Sequence, residues 1–423
     1  SEQDIDWATL TFDGQTRFEN FSWNADLLGN AFDSMSGKLR FSDRSIDFAP
    51  VEIRKGNQTY RLEGSLTPEP VAGKKKRSLY LIDWFLNPAW NLEANLQIPR
   101  IELSLLLKKL ESKDRYTFPD AWIDEGWARN SRATLNLNID DVQWESQPLF
   151  SKLMGKLEYN RGRSTLRPFS LLYKGGKVTG SATLDVSPAW VSDGEPQWAA
   201  SVNVENLPID ALPFGLGFTR GSVKGESTFT SQGRYFSDWD KNARLRGLLQ
   251  IGGLQGDVWT RPVKAKIDTF FDKSAASDYL LSDAARLECQ PSPESALVEF
   301  QETHDKLELG RMRISTKGGG RLDLQADMSN ATSAAREKLK GKAVYRFPAK
   351  CFSDRAQFCM KDLQRDVAWP LDFSKREVTL SELEYDFDVG VFARSFQACM
   401  ERKVADDVKK QMTTESKPGA KGK

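Results

Sequence analysis

One histidine, His304, and four cysteines are all that this chain of 423 residues offers to metal or nucleophile chemistry. A serine, cysteine or threonine nucleophile with an imidazole base would have to use that single residue. His304 stands in a polar stretch just ahead of the Leu307 strand and reads as a surface side chain. The cysteine spacing is not that of a zinc site, and no cofactor motif is present. Long apolar runs are missing too. The longest, such as 79–86, are strand-sized and include Asp83, far short of the roughly 20 residues that cross a bilayer. No excess of either charge exists, with 60 basic against 59 acidic residues, so the overall field gives no reason to expect nucleic acid. The chain starts at Ser1 without an initiator methionine or a basic, apolar leader, which is the expectation for a processed protein whose signal peptide or anchor has been removed.

Strand periodicity is what the sequence does have. Apolar and polar residues alternate through most of its length, as in Ala133-Thr134-Leu135-Asn136-Leu137-Asn138-Ile139, Arg321-Leu322-Asp323-Leu324 and Leu383-Glu384-Tyr385-Asp386-Phe387. Such alternation specifies strands with one wet and one apolar face. Turn signals such as Gly56-Asn57, Gly175-Gly176 and Gly318-Gly319-Gly320 separate them. The last is read as a hairpin turn, since a strand follows where a phosphate loop needs a helix N-terminus. Helical spacing is confined to a short segment after Pro99 (Leu103, Leu106, Leu107, Leu110) and to a C-terminal stretch from about Ser395 to Met412, followed by a basic tail expected to be disordered.

A pattern around Gly37 recurs around Gly155. Gly37-Lys38-Leu39, Phe48-Ala49-Pro50-Val51 and Leu62-Glu63-Gly64-Ser65-Leu66 are answered by Gly155-Lys156-Leu157, Leu166-Arg167-Pro168-Phe169 and Val178-Thr179-Gly180-Ser181-Ala182. Each copy follows a tryptophan-led segment ending at Trp23 or Trp144. One supersecondary unit is therefore expected twice. The expected organisation is a first β-module over 1–115, a second over 128–260, a C-terminal β region over 261–395, and a helix with tail over 396–423. The fold class is mainly β: a long curled antiparallel sheet, open as a groove, built from repeated meanders with few short helices.

A sheet with a long apolar face must cover it with a second sheet, helices or a ligand. If it is left as a trough, acyl chains fill it, at roughly 0.8 kcal/mol per buried methylene. The candidate lining is Leu135, Leu137, Ile139, Leu157, Leu184, Val186, Val202, Val204, Leu249, Ile251, Leu322, Leu324, Tyr385 and Phe387. An ordinary β-sandwich with a dry core is the alternative. The carboxylate pairs Asp140-Asp141 and Asp406-Asp407 and the run 74–77 read as solvated positions, the latter also able to meet anionic headgroups. Twelve tryptophans, several at strand ends such as Trp84, Trp90, Trp144, Trp190 and Trp198, read as core or rim packing. Cys351 and Cys359 are spaced to close a short loop as a disulfide, the alternative being free buried thiols.

The order running from Gly155-Lys156-Leu157 through the Tyr173-Lys174-Gly175-Gly176 hairpin to Val178-Thr179-Gly180-Ser181-Ala182-Thr183-Leu184-Asp185, then 198–208, then Arg220-Gly221-Ser222-Val223-Lys224-Gly225-Glu226-Ser227-Thr228-Phe229 with Ser231-Gln232-Gly233 and Leu245-Arg246-Gly247, resembles the C-terminal region of the AsmA family. The resemblance is best over 130–260, is echoed over 20–105 and weakens beyond 262. It implies a non-enzymatic periplasmic protein of a Gram-negative envelope, tethered to the inner membrane by an N-terminal helix that this chain lacks. It also implies a repeating β-groove that carries phospholipids toward the outer membrane and meets a membrane surface. An envelope scaffold or assembly factor with a protein partner, and a glycan-binding β-module, are the other function classes.

Overall fold

The computed structural model describes residues 13–23, 32–42, 45–55, 58–68, 90–106, 108–110, 115–117, 129–190, 194–212, 216–233, 236–273, 291–329, 338–346, 348, 358–359, 368–374, 378–386 and 389–415. The chain is mainly β, and its strands form one large mixed sheet that is not closed, with a separate two-stranded hairpin. It divides into two compact units, the first comprising 1–207 and 224–246, the second 208–223 and 247–423.

In the first unit the alternating segments become β1 (Gly14–Trp23), β2 (Phe32–Phe41), β3 (Ile46–Lys55), β4 (Gln58–Pro68) and β5 (Trp90–Glu102). These five pair in sequence as an antiparallel meander. The meander is then written again as β8 (Arg132–Trp144), β9 (Gln147–Asn160), β10 (Arg163–Tyr173), β11 (Gly176–Asp185) and β12 (Gln197–Pro208). Between the copies lies the small hairpin of β6 (Lys108–Leu110) and β7 (Arg115–Thr117). The copies join through a parallel pairing of β5 with β8, from Asn91 opposite Arg132 to Glu102 opposite Gln143. One unit thus takes in both copies of the repeat.

The repeated glycines and prolines have a common physical cause. In β3 the residues Ala49-Pro50 oppose only Glu63 of β4, and in β10 Arg167-Pro168 oppose only Ser181 of β11. Two residues facing one is a β-bulge, where an interior strand tolerates a proline that has no N–H to give. The bulge turns Val51 and Phe169 onto the apolar face, where both are buried. Glycine opposite makes room: a Cβ on Gly37 would lie 2.9 Å from Val51 Cγ2, and one on Gly155 3.0 Å from Phe169 Cβ.

Each copy closes with a single 3₁₀ turn, Leu103–Leu106 after β5 and Ile209–Ala211 after β12. The amphipathic helix expected from Leu103 to Leu110 is thereby corrected. The chain stays extended through Pro99 to Glu102 because β8 pairs with it there, and tertiary pairing overrides local periodicity.

The second unit contains β15 (Pro293–Thr303), β16 (Lys306–Thr316), β17 (Arg321–Ser329), β18 (Lys338–Arg346), β19 (Ala368–Asp372) and β20 (Val378–Thr379), with helices α2 (Arg261–Lys273) and α3 (Val389–Glu415). Strands β13 (Arg220–Gln232) and β14 (Arg244–Gln255) are shared between the units, and the short helix α1 (Phe236–Asn242) belongs to the first. Strands β15 to β19 pair antiparallel in order. Gly318–Gly320 makes the expected β16–β17 hairpin turn, and α3 covers the expected C-terminal helix. The basic tail, the run 74–77 and Trp84 lie outside the described residues.

Alternation in this unit is complete. Val298, Met312, Ile314, Leu322 and Leu339 are each 0 % exposed. Aromatic groups from distant segments are buried in the same unit: Phe373 approaches Gly341 of β18, Tyr385 packs edge-on to Phe373 with ring centres 5.5 Å apart, and the Tyr385 hydroxyl donates to the Trp259 carbonyl at 3.1 Å. Trp259 Nε1 in turn donates to the Leu216 carbonyl at 2.7 Å. Burial pushes the Tyr385 phenol well above its ordinary value, as it must for an O–H held in an apolar layer.

Among the described residues a disulfide joins Cys359 to Cys399, so Cys359 does not pair with Cys351. The spacing argument fails because α3 carries Cys399 back to Cys359, with Cα atoms 5.7 Å apart, well inside bridging range; Cys351 lies outside the described residues. Both sulfurs are buried, and the bridge closes a 40-residue separation. Cys399→Ser is expected to cost about 2–4 kcal/mol, read as a lower denaturant midpoint with a steeper slope, since the unfolded chain without the bridge is less compact.

Candidate functional site

The candidate lining residues separate into two groups. Leu249 and Ile251 are 1 % exposed, Leu322 and Tyr385 0 %, and Leu324 2 %. All five are packed in the dry core of the second unit, with no surface to offer a ligand. Phe387 lies outside the described residues.

The other eight belong to the first unit. Ile139 and Val186 are buried, while Leu135, Leu137, Leu157, Leu184, Val202 and Val204 are only half-buried. Register puts them on one face. One row runs across seven strands as Leu62, Leu96, Leu137, Gly155, Phe169, Gly180 and Val202, each opposite the next. A second runs Gly64, Ala94, Leu135, Leu157, Leu166, Ala182 and Ala200, and a third Leu66, Leu92, Ala133, Tyr159, Ser164, Leu184 and Trp198. Seven strands at about 4.8 Å spacing make this face roughly 29 Å across. Sequence reasoning missed its first-copy members Leu62, Leu66, Leu92 and Leu96, although the repeat marked them.

Two small clusters are seated in the face. Phe48, Val51 and Ala94 form one, against Phe18, Leu39 and Leu62; Ile139, Val142, Leu153 and Phe169 form the other, against Ile98, Ile101 and Val202. The second depends on a shared change of phase: at Pro99 and Asp140 both partners of the parallel pair shift, so Ile98 with Ile101 and Ile139 with Val142 all reach the same side. The reverse face is mainly polar, with Met154 exposed opposite Asn138. Asn136 Nδ2 donates to Asn95 Oδ1 at 2.8 Å, and Lys152 reaches Asp140 at 2.8 Å. Asp141 pairs with Arg100 at 3.1 Å, so the Asp140-Asp141 pair is a charge-paired sheet surface.

The two ends of the strands differ. At one, Glu102 accepts from the Glu145 and Ser146 backbone N–H groups, both at 2.8 Å, and fixes the β8–β9 turn. Desolvation acts to raise the Glu102 pKa, but its bonds to Ser104, Ser146 and Glu145 outweigh this and hold it below the usual carboxylate range.

The opposite end is aromatic. Trp198 packs on Phe229 and Trp239 with ring centres at 4.4 and 5.5 Å. Trp239 Nε1 donates to the Gly233 carbonyl at 2.8 Å. Trp190 lies against Gly162 in the β9–β10 turn, with the Arg129 guanidinium 5.5 Å over its ring. Tyr159 lies at this end too, its phenol pushed up by burial.

No family model, curated protein or solved structure matches this chain. Its reading therefore rests on geometry. Among the described residues no group of three or more metal-ligating side chains occurs, and no described helix is long and apolar enough to cross a membrane. His304 is exposed, with Asp305 at 3.8 Å.

Proposed function

We propose that the chain is a non-enzymatic lipid-handling protein that seats phospholipid acyl chains along the apolar face of its first unit. One observation carries this: a register-continuous apolar band across seven strands keeps most of its leucines and valines half-buried, while the same alternation in the second unit is sealed. Leaving leucine and valine faces half-wetted is unfavourable at about 25 cal/mol per Å², and a chain of methylenes is the occupant that matches a long, featureless apolar band. On this reading the setting is the periplasm, with phospholipid passing between inner and outer membranes, as the AsmA resemblance implies. The test is mass spectrometry of the intact chain purified without detergent exchange. Stoichiometric phospholipid is the expected result, and a lipid-free chain that also takes up no added lipid sinks the reading.

A further inference from the structure

The wet face of the second unit gathers three arginines around one carboxylate. Arg313 Nε donates to Asp323 Oδ1 at 2.9 Å, Arg321 Nε donates to Asp323 Oδ2 at 2.8 Å, and Arg346 Nε lies 3.6 Å from the same Oδ2. Register produces this convergence: Arg313 on β16 stands directly opposite Asp323 on β17, and Arg321 stands directly opposite Arg346 on β18. Like charges directly opposite each other destabilise a sheet, and Asp323 is the one acid beside them on these strands. The remaining acids of β16 and β17, Glu308 and Asp327, both reach Lys306 at the other end, and β18 has none. Desolvation acts to raise the Asp323 pKa, but the bonds and charges of Arg313 and Arg321 outweigh this and hold it below the usual carboxylate range. One negative charge therefore faces three positive ones. Each arginine turns its Nε toward the aspartate, and among the described residues none of their terminal nitrogens has an acceptor. The three side chains are 29, 39 and 51 % exposed, so a ligand can approach them from solvent.

We infer that this triad binds a phosphate oxyanion, held by the terminal nitrogens of Arg321 and Arg346 while Asp323 keeps the guanidinium groups in place. Planar guanidinium forks match phosphate oxygens two at a time. Ser315, opposite Arg321 on its other side, adds a hydroxyl donor. The phosphate belongs to a free small molecule or to a lipid head at a membrane surface, and the recognition chemistry is the same for both. The site lies on the second unit and stands independently of the acyl-chain reading of the first.

The experiment compares the purified full chain with Arg321→Gln and Arg346→Gln, and with Lys340→Gln, which makes the same charge change on β18 outside the triad. Circular dichroism checks that each variant is folded. Two probes are used: inorganic phosphate, followed by calorimetry at low ionic strength, and vesicles of phosphatidylglycerol in phosphatidylcholine, followed by flotation. Each arginine variant is expected to weaken phosphate binding about tenfold, the scale of one hydrogen bond to a charged group, and Lys340→Gln to leave it within about twofold. Vesicle flotation that falls in the arginine variants alone assigns the site to a lipid head. Flotation that is absent or unchanged, with the calorimetric loss retained, assigns it to a free phosphate compound. A parent chain that binds neither probe overturns the inference and leaves the triad an ion-pair network. Binding that falls equally in Lys340→Gln and the arginine variants also overturns it, by making the attraction a diffuse field of the sheet.

Discussion

Leu137→Asp is expected to give a folded protein that no longer retains acyl chains, whereas Leu324→Asp is expected not to fold. Both leucines lie in strands of identical alternation, yet their surroundings differ. Leu137 is half-buried between Leu96 and Gly155, so a carboxylate there keeps part of its water. The fold then loses only the transfer energy of a half-buried leucine, about 1 kcal/mol. A lipid chain laid over that carboxylate would strip the remaining water. Desolvating an ion without a partner costs several kcal/mol, so binding should fall by at least about 100-fold. Leu324 is 2 % exposed, between Met312 and Ala343. An unpaired carboxylate there faces the full penalty on top of a lost leucine, comparable with a typical domain stability of 5–15 kcal/mol. Circular dichroism and binding of pyrene-labelled phosphatidylglycerol separate the outcomes. A Leu137→Asp protein that binds lipid normally would dismiss the face as a ligand site.

That pair also marks the limit of what could be read in advance. Strands were legible because period two is local, and the repeat because its glycines and prolines have fixed spacing. What the glycines and prolines do was not legible: the bulges of β3 and β10 appear only once the register to β4 and β11 is known. Nor could alternation distinguish Leu137 from Leu324, since it reports that a face is apolar and not what lies over it. In the second unit the sheet residues are fully buried together with Trp259, Phe373 and Tyr385, brought in from distant segments. Helix α2 did carry a signal, with Pro262 in its first turn and Val263 and Ile267 four apart and both buried; an apolar count too low for a core helix hid it. The Cys359–Cys399 bridge has no sequence signature because it depends on where α3 returns.

The glycines of the fourth strand in each copy give the second large effect: Gly64→Ala and Gly180→Ala should each destabilise the first unit by about 3 kcal/mol or more. A Cβ on Gly64 would run into the Glu93 carbonyl oxygen and sit 2.7 Å from the Ala94 Cα; on Gly180 it would run into the Ser201 carbonyl oxygen and sit 3.0 Å from the Val202 Cα. The obstacle in both places is neighbouring backbone, which cannot rotate aside as a side chain does, so the ladder itself must part. Overpacking against yielding side chains costs about 1–3 kcal/mol, and a backbone clash belongs at or beyond the upper end. Gly310 is the control, since a Cβ there meets only the Glu299 carbonyl at 3.9 Å, and alanine should be tolerated within about 0.5 kcal/mol. The two sites share no partners and lie on β4 and β11, with β5, β8, β9 and β10 between them. The double variant should therefore be additive within about 0.5 kcal/mol if both are measured on one cooperative transition. A double variant no less stable than either single would mean that one copy has already detached, and that the two meanders are separate folding units joined only through the β5–β8 seam.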